Sequence, residues 1–245
     1  GDMLLSGDAH LALDGGGALA LSASDVTLSG DITNRSGDVT VEAKAFQSSD
    51  ASVHTLQMDD GASIDTSGNW INDNPLLGAS LNAPVHMDAG NISLKADGSV
   101  LVDEDASLQA NGGAWLSAGG KLQEGNGGNI NLSASRFSLG GELDFRGDAS
   151  SYSLKKGGTL TLGAAGFDIG AQDSVDDDNG RVQVSPEDLQ RGGFSKVVLN
   201  AGLSGIDVAE DTQINLVGQQ YLLRDVQLRN VASGADMNSL VQVAD

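Results

Sequence analysis

Five short segments of this chain share one alternating pattern of hydrophobic and polar positions. Each segment begins with a small residue and Gly, carries aliphatic residues at its fourth and sixth positions, and ends with Ala. The copies occupy residues 16–23, 36–43, 89–96, 127–134 and 157–164. A strict period of two is typical of a strand with one buried face. In the fourth copy, the predicted buried residues are therefore Ile130, Leu132 and Ala134.

Further alternating strands follow the final Ala of a copy. Examples are Val100 and Val102 followed by Leu108 and Ala110, and Phe137 and Leu139 followed by Leu143 and Phe145. Three short strands and three turns make one coil of a triangular solenoid, whereas a β-sandwich would not repeat such a phrase. Successive copies begin 20, 53, 38 and 30 residues apart, so we expect the intervals of 38 and 53 to hold two coils. The pattern predicts an all-β, right-handed parallel β-helix of about ten coils at roughly 20–25 residues each.

The chain is predicted to be a single β-helix segment over residues 1–245. Residues 44–88 lengthen one coil interval, and we expect them to contain an insertion loop outside the coils. Residues 219–245 lose the Gly rhythm but still alternate, so they are expected to finish the last coils or to cap them. The first residues lack the basic and apolar regions of a signal peptide, which predicts an interior piece of a larger exoprotein.

The composition argues against nucleic acid and anionic lipid as partners. The formal net charge is −21, from 34 acidic and 13 basic residues. So few basic residues cannot form the footprint that nucleic acid requires, and attraction to anionic lipid is disfavoured for the same reason. No apolar run is long enough to span a bilayer, so no membrane insertion is expected. The chain has no Cys, which excludes disulfides and thiolate chemistry.

Four sequence features together resemble the filamentous haemagglutinin-type exoproteins of two-partner secretion. They are the Gly-Gly-x-(Ile/Leu)-x-Leu-x-Ala repeats, Asp-Thr-Ser-Gly-Asn-Trp-Ile-Asn-Asp at 65–73, Gly-Gly-Ala-Trp-Leu at 112–116 and Leu-Gln-Arg-Gly-Gly-Phe at 189–194. The resemblance implies export through a dedicated outer-membrane β-barrel partner. It also implies a long right-handed β-helix that is secreted or displayed on the outer-membrane surface. The family's N-terminal secretion domain is not visible, so the segment resembles part of the shaft.

The function that the resemblance implies is that of an adhesin. Such a shaft would mediate attachment between cells, to a host, or to matrix polysaccharide, with glycans or host receptors as ligands. The alternative is the shaft of a contact-dependent inhibition protein that delivers a toxin. A β-helix polysaccharide lyase or hydrolase is the third candidate. We expect no catalysis, because neither the pair Asp59 and Asp60 nor His10, His54 and His86 has a partner at a signature spacing.

Three residues of the 44–88 segment are candidate ligand-binding residues. Trp70, Asn72 and Asp73 lie in a run rich in Asn and Asp that ends near Pro75. The indole ring could stack on a sugar while the polar side chains hold its hydroxyl groups. Alternatively, the ring packs over the flank of the solenoid.

The tripeptide Arg146-Gly147-Asp148 follows the predicted strand that ends at Phe145. An exposed turn of this sequence can bind integrin-type host receptors. Every coil of a β-helix also needs Gly-containing turns, so an ordinary turn is the alternative.

An acidic run suggests calcium as the only candidate cofactor. Asp176, Asp178 and Glu187 partly follow the spacing of a calcium loop, but Gly180 falls one place early. A solvated acidic turn is the alternative, and the sequence predicts no other metal or cofactor.

Overall fold

The computed structural model describes residues 1–13, 15–46, 53–78, 85–136, 141–170, 181–214, 218–224 and 226–244. Strands account for 46% of the chain and helices for almost none, so the fold is all-β as expected. No helix among these residues is long and apolar enough to cross a membrane.

Three parallel sheets form the body of the molecule. Sheet 1 consists of β1 (Met3–Leu5), β4 (Val26–Leu28), β7 (Thr55–Met58), β11 (Ser99–Val102) and β16 (Leu143–Phe145). Sheet 2 consists of β2 (His10–Ala12), β5 (Asp31–Thr33), β8 (Ser63–Asp65), β12 (Ser107–Gln109) and β17 (Asp148–Ser150). Sheet 3 consists of β3 (Ala18–Ala23), β6 (Asp38–Ala43), β10 (Ile92–Ala96), β15 (Ile130–Ser133), β18 (Thr159–Ile169), β19 (Arg181–Val184) and β20 (Lys196–Val208).

Two small sheets lie beside this body. One contains β9 (Trp70–Asn72), β13 (Ala114–Leu116) and β14 (Leu122–Glu124), with β9 parallel and β14 antiparallel to the central β13. The other is the antiparallel pair β21 (Gln220–Leu223) and β22 (Val241–Ala244). Three short 3₁₀ helices span Pro75–Leu77, Leu228–Asn230 and Met237–Ser239.

The chain passes through sheets 1, 2 and 3 in turn and then repeats the circuit. Sheets 1 and 2 each hold five strands, so the described residues make five complete circuits and not about ten. The predicted number was too high because one circuit takes up to 53 residues. The longer intervals hold one circuit and not two coils. In each of them the chain makes an excursion, in which it leaves the three parallel sheets and contributes to the β9–β13–β14 sheet. We call this small sheet the excursion sheet.

Equivalent aliphatic residues of successive circuits stack in register in the interior. In sheet 3, Val39 pairs with Ile92, and Ile92 pairs with Ile130. These side chains are fully buried, and the predicted buried positions Leu132 and Ala134 are confirmed. The same holds for Val100, Val102, Leu108 and Ala110. The residues predicted to precede β16, Phe137 and Leu139, lie outside the described part of the chain.

A column of glycines explains the Gly of each repeat. Gly17, Gly37, Gly90, Gly128 and Gly158 lie one or two residues before the first residues of successive strands in sheet 3. A Cβ atom on any of the last four would overlap the carbonyl oxygen of the glycine in the circuit before. Only Gly permits so close an approach of neighbouring backbones.

An asparagine ladder runs beside the glycine column. The Nδ2 group of Asn91 donates to Oδ1 of Asp38 at 2.8 Å, and Nδ2 of Asn129 donates to Oδ1 of Asn91 at 2.8 Å. The backbone N–H of Thr159 then donates to Oδ1 of Asn129 at 2.9 Å. Each side chain therefore links one circuit to the next at the turn before sheet 3.

Strand β18 lies between β19 and β20 at the end of sheet 3. Residues 166–169 of β18 pair with β19 on one side, and residues 159–164 and 166–169 pair with β20 on the other. Arg181 of β19 holds these strands together, because its guanidinium donates to Asp168 at 2.6 Å and to Asp207 at 2.8 Å. Its side chain is mostly buried, and these carboxylates compensate its positive charge.

The two segments singled out by the sequence take different positions. Residues 44–88 include β7 and β8, which belong to sheets 1 and 2, so the excursion begins only after β8. Residues 219–245 do not add strands to the three parallel sheets in the part that is described. They lie against the β9–β13–β14 sheet, because Tyr221, Leu240 and Val241 pack on Trp70 and its neighbours.

Candidate functional site

Trp70 anchors the packing between the excursion sheet and the C-terminal segment, which we define as residues 218–244. Its side chain is 1% exposed, and its Nε1–H donates to the backbone oxygen of Val231 at 3.2 Å. The cluster around it consists of Ala114, Leu116, Tyr221, Met237, Leu240 and Val241. A buried indole offers no ring face to a sugar, so of the two alternatives for Trp70 the structure contradicts sugar stacking and shows packing.

Asn72 is a second point of attachment for the C-terminal segment. Its Nδ2 group donates to the backbone oxygens of Leu228 at 3.0 Å and Val231 at 2.8 Å, and its Oδ1 accepts from the N–H of Asn74 at 3.0 Å. The backbone of Asn72 also exchanges hydrogen bonds with the hydroxyl group of Ser233. The side chain is buried and fully used, so it is not available to a ligand.

Asp73 positions the other tryptophan of the chain. Its Oδ2 accepts from Nε1 of Trp115 at 2.8 Å, and its own N–H donates to the backbone oxygen of Leu116. Trp115 pairs with Ile71 across the parallel strands β9 and β13, and both side chains are half-buried. This contact was not predicted from the sequence, although the Trp-containing phrases at 65–73 and 112–116 were its signal.

Both tyrosines of the chain lie in the same region. The rings of Tyr152 and Tyr221 are 5.5 Å apart between centroids, and the Tyr221 hydroxyl donates to Oδ1 of Asn238 at 3.3 Å. Burial, with a smaller contribution from Tyr152, raises the pKa of Tyr221 to about 12. The phenol is therefore neutral in the folded protein over the whole physiological range.

The tripeptide Arg146-Gly147-Asp148 forms the corner between β16 and β17. The Arg146 guanidinium donates to Asp103 at 3.1 Å and lies 3.0 Å from the carboxylate of Asp144. The N–H of Asp148 donates to the backbone oxygen of Ala106, so the corner rests on the circuit before it. The structure places the motif in a tight corner with its Arg side chain laid along the protein, and not at the tip of a projecting loop.

A cavity of about 520 Å³ opens beside this corner. It lies between the fifth circuit and residues 182–194, which pass over that circuit. Its apolar lining residues are Leu143, Phe145, Ala149, Leu160, Leu162, Val182, Val184 and Phe194. Charged side chains stand among its lining residues as well: Glu104, Arg146, Asp148, Asp188 and Arg191. This cavity was not predicted from the sequence.

The residues proposed for calcium do not form a described site. Asp176 and Asp178 lie outside the described residues. Glu187 lines a second cavity of about 460 Å³ together with Asp188, Glu210 and Asp211. Within the described ranges, no group of three or more acidic, His or Cys side chains is arranged to hold a metal ion.

Asp188 connects the two cavities, since it lines both. Burial acts to raise the pKa of Asp188, but hydrogen bonds from Ser185 and Arg191, together with the charge of Arg191, outweigh it and hold this pKa below its usual value. The carboxylate is therefore ionised and paired at neutral pH.

Comparison with known proteins gives no relative for this chain. No family model, no curated protein and no solved structure matches it significantly.

Proposed function

We propose that the chain is a right-handed parallel β-helix that forms a shaft segment of a filamentous haemagglutinin-type bacterial adhesin. The observation that carries the proposal is the stacking of equivalent residues across successive circuits of three parallel sheets. Sheet 3 shows it in its aliphatic columns, its glycine column and its asparagine ladder. A solenoid of this kind grows along one direction at about 4.8 Å per circuit, which suits a long projecting structure.

The outer face of sheet 3 supports a role in attachment. Its outward positions carry small polar side chains in register, among them Thr40, Ser93, Asn131 and Thr161. Nδ2 of Asn131 donates to the Ser93 hydroxyl group at 3.1 Å, so polar side chains of neighbouring circuits contact each other on this face. Hydroxyl and amide groups at regular spacing are suited to hydrogen bonds with matrix polysaccharide.

The proposed location is outside the cell, secreted or attached to the outer-membrane surface. The parent chain would be exported by an outer-membrane β-barrel partner of the two-partner type. The strongly acidic composition supports this location, because like charge keeps exported protein soluble and unaggregated. The role is structural and adhesive and involves no catalysis.

Attachment is tested by binding of the purified chain to matrix polysaccharides and to cells. We expect retention of polysaccharide by beads that carry the chain. The double substitution Asn131→Glu with Thr161→Glu should lower retention at least about fivefold, because carboxylates replace hydrogen-bonding groups on the face of sheet 3. The double substitution Ala232→Glu with Gln242→Glu, at two exposed positions of the C-terminal segment, adds the same charge and is the matched control, which should leave retention unchanged.

The outcomes separate the two parts of the proposal. If the chain retains neither polysaccharide nor cells, the attachment role is wrong. If the control lowers retention as much as the double substitution, general charge repulsion explains binding and sheet 3 is not the surface. The shaft is tested by electron microscopy of the parent protein, which should show a rod whose length grows with the number of circuits.

A further inference from the structure

The cavity beside the Arg146 corner arises from a break in one interior column. In sheet 2, Leu11, Ile32, Ile64 and Leu108 stack in register with their side chains inward. The next residue in this column is Ala149, which pairs with Leu108. Four large aliphatic side chains are thus followed by a methyl group, and the fifth circuit lacks the volume that the earlier circuits supply.

The chain that covers this circuit does not fill the gap. After β19 ends at Val184, residues 185–195 cross over β17 as turns and not as a strand. Gly192 and Gly193 both have positive φ angles, of 85° and 71°, which only Gly adopts readily. This backbone contributes Phe194 to the cavity wall. The cavity of about 520 Å³ falls within the range of small-molecule sites in proteins.

The charged side chains at the cavity favour a positively charged ligand. Both guanidinium groups are already paired, Arg146 with Asp103 and Asp144, and Arg191 with Asp188. Glu104 and Asp148 also line the cavity, and both are exposed. Among the described residues, neither of these two carboxylates has an ion-pair partner.

We propose that this cavity binds a single-chain amphiphile with a cationic head, of the alkylammonium class. The alkyl chain occupies the apolar space above Ala149, between Leu160, Leu162 and Phe194. The ammonium group lies at the mouth, where the carboxylates of Asp148 and Glu104 compensate its charge. The corner formed by Arg146, Gly147 and Asp148 is then one edge of a ligand site.

The experiment is calorimetric titration of the chain with decylammonium, decanol and decanoate below their micelle concentrations. We expect one site per chain, with decylammonium bound at least about threefold tighter than decanol and about tenfold tighter than decanoate. Ethylammonium is the control for general attraction to this acidic protein, and it should neither bind nor compete, because it has no tail.

Substitutions at Ala149 test the position of the tail. Ala149→Leu restores the column of large side chains, and should weaken binding of both decylammonium and decanol more than about tenfold without lowering the midpoint of thermal unfolding. Ala149→Ser preserves the space and should keep binding. Ala149→Val fills the cavity in part and gives an intermediate loss if the leucine variant folds poorly.

A substitution at the mouth tests the head group. Asp148→Asn should reduce affinity for decylammonium several-fold and leave affinity for decanol unchanged. Unaltered decylammonium binding in the Ala149→Leu variant would show that the ligand lies elsewhere. Equal affinity for the three head groups would overturn the assignment of a cationic ligand, and the absence of binding by any probe would overturn the site itself.

Discussion

Gly128 shows how strictly a single position can be constrained when circuits stack in register. A Cβ atom here would overlap the carbonyl oxygen of Gly90 and would also approach the Cβ atom of Ala110. The obstacle is backbone of a paired strand, which cannot shift without breaking the hydrogen bonds of sheet 3. Space, and not a special φ angle, therefore dictates Gly at this position.

Gly128→Ala is expected to lower the free energy of unfolding by about 2 kcal/mol or more, since a methyl group is forced against fixed backbone. Urea denaturation followed by circular dichroism measures this loss. Gly119→Ala is the matched control, because no atom lies within 4 Å of the Cβ position there. Its free energy of unfolding should stay within about 0.5 kcal/mol of that of the unsubstituted protein. Equal losses in both variants would contradict the overlap.

Tyr221 makes stability depend on pH at the alkaline end. Its pKa is raised by burial to about 12 in the folded protein, against 10.0 for an unperturbed tyrosine. Between these pH values the unfolded chain loses the proton and the folded chain keeps it. The stabilisation is therefore complete below pH 10 and is lost as the pH rises towards 12.

Comparison with Tyr221→Phe isolates this effect. Both proteins are compared between pH 9 and pH 11. The unsubstituted protein should lose about 1 kcal/mol more of its free energy of unfolding than the variant does. Urea unfolding at the two pH values measures the difference. If both proteins lose the same amount, the phenol of Tyr221 does not control the alkaline limit.

At the scale of elements, the sequence predicted five strands of sheet 3 from the repeat copies, and a few of the strands in sheets 1 and 2, among them β11 and β12. The alternation at 127–134 places Ile130 and Leu132 inside, and period-two strands have no other way to bury them. The excursion sheet could not be predicted in the same way. Trp70 contacts Val231, 161 residues away, and no local pattern encodes a partner at that separation.

The surroundings of the candidate site residues were harder to predict than the strands, for a physical reason. Trp70 and Asn72 look like exposed loop residues in the sequence because polar and Gly residues surround them. Their burial comes from the C-terminal segment, which covers them from the other end of the chain. The cavity near Ala149 likewise requires the exact register of sheet 2, which the repeat of sheet 3 does not give.

The attachment of the C-terminal segment is expected to weaken in Asn72→Ala. The substitution removes the Nδ2 donor to Leu228 and Val231, so each of these backbone oxygens loses one of its hydrogen bonds. Amide exchange in residues 218–244 should accelerate about 10- to 100-fold, while sheet 3 keeps its protection. Hydrogen exchange read by mass spectrometry measures both regions.

Asn131→Ala is the control for this prediction, since its side chain bonds only to a neighbour on the face of sheet 3. It should leave exchange in residues 218–244 unchanged. Faster exchange throughout the Asn72→Ala protein would show that the C-terminal segment and the parallel sheets unfold together as one unit.

For the whole molecule, the formal net charge of −21 opposes the compact state. Repulsion between surface carboxylates is screened by salt over about 10 Å at 0.1 M ionic strength. Raising sodium chloride from about 0.02 to 0.5 M should therefore raise the unfolding midpoint by about 2–5 °C. Differential scanning calorimetry measures the shift, and potassium chloride should give the same one. A midpoint that falls with salt would indicate that attractive ion pairs dominate.

The asparagine ladder and the strand pairing also decide how the molecule responds to force. Hydrogen bonds between circuits point along the direction of stacking, so tension in that direction loads one circuit at a time. Opening the 38-residue interval between Asn91 and Asn129 would release about 125 Å of chain. In single-molecule pulling, a chain held at its ends should lengthen in several such steps, and one abrupt rupture would contradict this. A tether built in this way yields gradually and keeps its remaining circuits folded while the load persists.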